Sequence, residues 1–102
     1  MPVLRGLTVI VGGADSARFS LALEMAASTA AVGAPARLYA HQAAVTLLVP
    51  SPAIEDALEL GVRFVACQSG LADHGLAIPD FAEAGGMVSL LAELGDDRLV
   101  TV

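Results

Sequence analysis

The sequence predicts an α/β domain: a mostly parallel sheet of about five strands with helices on both faces. Three observations lead there. Short apolar, β-branched runs alternate with Ala- and Leu-rich helical segments along the whole chain. The strand runs are continuously apolar, as in strands buried on both faces. Glycines, and one Ser–Pro pair, punctuate most boundaries. Right-handed crossovers then follow from chain chirality. With 102 residues there is room for a single domain over 1–102, and no repeat, linker or low-complexity stretch interrupts it.

Leu7-Thr8-Val9-Ile10-Val11 is the first strand, ended by Gly12-Gly13. Asp15 or Ser16 can cap the next helix by accepting from its open backbone N–H groups. Ala17 to Val32 contains no Pro or Gly and predicts about four helical turns, with Gly33 as the stop. Its polar residues cover only part of its surface, so more than one face is apolar. Pro35 to Ala40 reads as the second strand. His41 to Val49 fits strand or helix, and Gln42-Ala43-Ala44 tips the reading to a short helix. Ser51-Pro52 opens another helix, because Pro at the first helical position loses no hydrogen bond. Gly61 closes it. Val62 to Ala66 is the third strand, ending at Cys67. Gln68 to His74 is a short helix closed by Gly75. Leu76 to Ala84 is a loop with room for a brief strand. Gly86 or Met87 to Leu94 is a helix stopped by Gly95, and Arg98 to Val102 is the final strand.

Composition narrows the function. Hydrophobic residues are 56% of the chain, much of it Ala, and a globule this small cannot hide all of that surface internally. Some of it is expected between subunits. The net charge is −6, with 11 acidic residues against 5 Arg and no Lys. The arginines (5, 18, 37, 63 and 98) are scattered, so neither nucleic acid nor an anionic membrane is an expected partner. The longest strongly apolar stretch near the middle, Ala43 to Val49, falls far short of the roughly 20 residues of a membrane span. The N-terminus has no signal-peptide pattern, and one Cys makes no intrachain disulfide; both point to a reducing cytoplasm.

Cys67 is the leading candidate for chemistry. Sites in open α/β sheets lie beyond the carboxyl ends of the strands, and Cys67 sits at such an end, opening a helix. Backbone N–H groups there favour a thiolate. The competing reading is a buried Cys acting as a small hydrophobe. Gln68, Ser69 and Gly70 tip the balance toward function, since they are small or polar and Gly70 leaves room for a ligand. His41 ends the second strand and is a weaker candidate to tune Cys67. His74 lies about two turns beyond Cys67. Surface or loop positions are the plainer reading for both histidines. One Cys and two dispersed His supply no zinc set, and no cofactor is expected. Gly12-Gly13-Ala14-Asp15-Ser16 has the placement of a phosphate loop, strand then helix. It lacks the G-x-G-x-x-G spacing and the P-loop Lys, so Gly12, Gly13, Asp15 and Ser16 read better as a turn and cap, with a nucleotide or flavin site the minor alternative.

Three segments together resemble the DsrE/DsrF-like proteins, which include the TusD-type sulfur relay subunits. The first is the strand followed by Gly12-Gly13-Ala14-Asp15-Ser16-Ala17-Arg18 and an Ala-rich helix closed by Gly33. The second is Leu60-Gly61-Val62-Arg63-Phe64-Val65-Ala66-Cys67-Gln68-Ser69, followed by Gly75-Leu76. The third is Gly86-Met87-Val88, then Leu90-Leu91-Ala92-Glu93-Leu94, ending in Asp97 to Val102. The likeness spans nearly the full chain. It implies a flavodoxin-like three-layer sandwich, assembly into homo-oligomers (trimers or hexamers), and a persulfide on Cys67 that passes sulfane sulfur from a donor to an acceptor protein. A non-catalytic oligomeric module that binds a protein or small ligand is the alternative.

Overall fold

The computed structural model describes residues 4–102. Five strands form one all-parallel sheet: β1 (Leu7–Gly12), β2 (Ala36–His41), β3 (Arg63–Cys67), β4 (Ala82–Gly85) and β5 (Arg98–Thr101). Their order is β4-β3-β2-β1-β5. The helices are α1 (Ser16–Ala31), α2 (Pro52–Leu60), α3 (Gln68–Asp73) and α4 (Met87–Ala92). From β1 to β4 the chain steps one way across the sheet, and right-handed crossovers put α1, α2 and α3 on one face. The return from β4 to β5 runs the other way and puts α4 on the opposite face. This is the expected three-layer α/β sandwich.

Strand parity divides the core. Val9, Val11, Leu38, Phe64 and Ala66 point toward α1 and α2 and are fully buried. Phe81 meets Phe64 edge-on at 5.5 Å. The α4 face carries the polar positions. Arg37 is buried there: its Nε donates to Thr8 Oγ1 at 3.2 Å, and its guanidinium lies 3.6 Å from Glu93. Thr8 Oγ1 in turn donates to Asp97 Oδ2 at 3.3 Å. A buried guanidinium is tolerated because these partners meet it.

The helix boundaries follow the capping chemistry. Asp15 caps α1 by accepting from the N–H groups of Ala17 and Arg18, and Ser51 caps α2 by accepting from Ile54. Gly61 ends α2 at φ +103°, a left-handed conformation that a side chain would strain. The short helix expected after β2 forms as a 3₁₀ helix over Gln42–Leu47. The brief strand for which the loop from Leu76 to Ala84 had room forms as β4, at the sheet edge. The last helix ends at Ala92 rather than Leu94. Among the described residues no helix is long and apolar enough to cross a membrane.

Candidate functional site

Cys67 is the last residue of β3 and the N-cap of α3. Its sulfur stands where a Ser or Asp oxygen stands in an ordinary cap and accepts from the Gly70 N–H at 3.4 Å. The Ser69 hydroxyl lies 3.2 Å from the same sulfur. Because α3 has only six residues, these directed bonds matter more here than any helix dipole.

Gly70 is glycine for a local reason. A Cβ there would lie 2.6 Å from the Gln42 carbonyl oxygen and 2.9 Å from its Cα. The start of the 3₁₀ helix therefore lies directly on the first turn of α3. Gln42 takes φ +50°, the one left-handed residue other than glycine among those described. Its side-chain Nε2 donates to Ser69 Oγ at 3.0 Å.

Burial pushes the Cys67 thiol up. The bonds from Ser69, the Gln42 backbone, the Tyr39 hydroxyl and the Gly70 N–H outweigh burial and bring it down to about 6. Each of these favours the charged form. At neutral pH roughly nine-tenths of such a thiol is thiolate, which is the attacking species. Tyr39 is shifted the other way, chiefly by burial and then by its bond to Cys67 and the charge there, so its hydroxyl stays protonated and donates. Cys67 itself is buried, with 3% of its surface exposed. Two surface clefts lie apart from it. One of about 340 Å³ runs between Phe19 and Leu23 of α1 and the segment from Thr46 to Ile54. Another, of about 300 Å³, adjoins Arg37 and Arg63.

The other sequence candidates divide into two sets. Ser69 and Gly70 touch the sulfur. Gln68, in the same turn, is exposed. His41 ends β2, one strand from Cys67, and stacks on Tyr39 with ring centroids 5.9 Å apart. Its Nδ1 is buried without a hydrogen-bond partner, and no hydrogen bond among the described residues joins it to Cys67. His74 caps the end of α3 and is exposed. Gly12, Gly13, Asp15 and Ser16 form the turn from β1 into α1, at the same carboxyl edge as Cys67 but two strands away. Gly13 supplies a φ of +79°, and the Asp15 carboxylate already occupies the N–H groups that a phosphate would need. Among the described residues, no cluster of three or more His, Cys, Asp or Glu is placed to hold a metal ion.

Two residues of this site escaped the sequence reading. Tyr39 carried a signal: as a lone Tyr inside an apolar strand, its hydroxyl had to find a buried partner. Gln42 carried none, because a positive φ at glutamine leaves no trace in composition or periodicity.

No protein-family model matches this sequence, and no curated protein does. Solved structures do. MTH1491 from Methanobacterium thermoautotrophicum, a protein of unknown function, superposes with a TM-score of 0.78 at 18% identity, covering 97% of this chain and 100% of that one. The ychN protein from E. coli gives 0.74 at 19% identity, with the same coverages. BT1422 from Bacteroides thetaiotaomicron, a conserved protein of unknown function, gives 0.71 at 18% identity, covering 95% and 94%. The chain shares the fold of these three proteins, a flavodoxin-like α/β sandwich. Identities this low carry the fold and no more.

Proposed function

We propose that the protein is a sulfur carrier that holds a persulfide on Cys67 and relays sulfane sulfur between partner proteins in a reducing cytoplasm. The observation that supports it best is the thiolate cradle: a cysteine at a strand's carboxyl end whose sulfur receives the Gly70 N–H at 3.4 Å and lies 3.2 Å from the Ser69 hydroxyl. The chemistry balances without a cofactor. The Cys67 thiolate attacks the terminal sulfur of a donor persulfide, the donor S–S bond breaks, and the donor leaves as a thiolate. An acceptor thiolate then attacks the terminal sulfur on Cys67, and Cys67 leaves as a thiolate. The cradle that stabilises the thiolate makes Cys67 a good leaving group in the second step. Assembly into a homo-oligomer, a trimer or hexamer, is part of this reading.

The test is mass spectrometry of the intact folded protein after exposure to glutathione persulfide. One added sulfur on the peptide containing Cys67, absent from Cys67→Ser, is the expected result. Folded wild-type protein that takes up no sulfur sinks the proposal. A second reading, a non-catalytic oligomeric module that binds a protein or small ligand, draws on the burial of Cys67. A thiol that stays inert to a small alkylating reagent in the assembled protein favours that reading.

A further inference from the structure

We infer that Gln42 is a positioning residue for Cys67: its side-chain amide fixes the Ser69 hydroxyl as a donor to the sulfur. The inference rests on the sulfur-carrier reading for its purpose, but not for its test.

A hydroxyl has one proton, and with Cys67 as a thiolate only Ser69 can donate across their 3.2 Å contact. Gln42 holds the hydroxyl in that role. Its Nε2 donates to Ser69 Oγ at 3.0 Å, which uses an oxygen lone pair and leaves the Ser69 proton free to turn to the sulfur. With the amide reversed, its carbonyl oxygen would draw that proton away. Donation into Oγ also polarises the hydroxyl and strengthens its own bond to an anionic sulfur.

The backbone of Gln42 explains how the amide comes to be there. At φ +50° the chain turns sharply out of β2. That turn brings the Gln42 carbonyl oxygen and Cα against Gly70, close enough that only glycine fits. A non-glycine residue held in the left-handed region is strained, and the surrounding structure must over-determine it. Here the surroundings are the first turn of α3 and the hydrogen bond from the Gln42 side-chain amide to Ser69. The same turn presents the Gln42 backbone to the sulfur, so Gln42 bears on Cys67 through its main chain and, by way of Ser69, through its side chain.

The experiment is an ultraviolet titration of the Cys67 thiolate in the full-length protein, with no sulfur donor present. Four proteins are compared: wild type, Gln42→Met, Ser69→Ala and the double variant. Met keeps the length of the side chain and removes its hydrogen bonding. Gln42→Met is expected to raise the thiol midpoint by about half to one pH unit, Ser69→Ala by at least as much, and the double variant by no more than Ser69→Ala alone. A merely structural role for Gln42 would not vanish with Ser69. The inference is overturned if Gln42→Met leaves the midpoint unchanged, or if its shift persists in full without the Ser69 hydroxyl. Should Gln42→Met fail to fold, Gln42→Gly takes its place in the cycle. Glycine accepts the left-handed φ without strain and keeps the backbone N–H. Because the titration reads the bare thiol, failure of persulfide loading and failure of this inference are separate results.

Discussion

At Cys67 two opposed effects act on one atom, and their balance fixes how stability depends on pH. Burial favours the neutral thiol, while the donors around it favour the thiolate and win, giving a midpoint of about 6 against an ordinary 9.0. Above pH 9 both folded and unfolded chains carry a thiolate, and only the folded one stabilises it, so the contribution is complete. As pH falls from about 9 the unfolded chain takes up a proton that the folded chain refuses. The contribution then shrinks by up to about 1.4 kcal/mol for each pH unit. Below about pH 6 both are protonated and it is gone. Wild-type stability measured by urea unfolding should therefore rise from pH 6 to pH 9 relative to Cys67→Ser, and the two curves should run parallel below pH 6. Curves parallel throughout would mean that the donors do not hold a thiolate. The placement of Cys67 was legible from the strand before it and the small residues after it. The cradle was only half legible, because Ser69 and Gly70 are neighbours in sequence, whereas Tyr39 and Gln42 arrive through the sheet and through a backbone angle.

At the scale of elements, the joint between the 3₁₀ helix and α3 is the tightest contact near the site. Gly70→Ala puts a methyl group 2.6 Å from a backbone carbonyl oxygen, and neither side of the contact is the end of a flexible side chain. The two elements must separate. Overpacking of this kind costs about 1–3 kcal/mol, and separation carries Gln42 away from both Ser69 and the sulfur. Gly70→Ala should thus lower stability and also raise the Cys67 midpoint. Measured together by urea unfolding and thiolate absorption, a stability loss with an unmoved midpoint would detach the 3₁₀ helix from the site. This joint also marks where periodicity stops being informative. Helix α1, with a carboxylate cap and 16 residues, announces itself in composition, as does α2 through Ser51-Pro52. A six-residue 3₁₀ helix repeats too few turns to show a period. Strand β4, Ala-Glu-Ala-Gly, lacks the β-branched residues that mark a strand. It exists because β3 offers it a ladder, with Arg63 holding Glu83 by bonds of 2.8 and 3.0 Å across the pair.

At the scale of the whole molecule, the two faces of the sheet are covered unequally. One has α1, α2 and α3. Among the described residues the other has only α4, six residues long, whose Leu90 turns inward against the core. Val88 and Leu91, three residues apart and so on one side of α4, stay outside with 85% and 46% of their surfaces exposed. Leu99 of β5, which pairs with Thr8 and so looks to the same face, is 44% exposed. A chain with excess apolar composition has thus left some of it exposed on the less covered face, and a second copy of the chain is the occupant that the proposed homo-oligomer would supply. The charge of −6 per chain opposes such an association, and in this reading apolar burial supplies the attraction. Two consequences follow for sedimentation of the full-length protein. Val88→Glu or Leu99→Glu should shift the population toward the monomer by roughly tenfold or more, since a desolvated carboxylate without a partner costs well over 1.4 kcal/mol. Moderate salt should tighten the wild-type assembly, because it screens repulsion between like-charged subunits and leaves apolar contacts intact. An assembly that falls apart as salt rises, or that ignores both substitutions, is held together by some other surface.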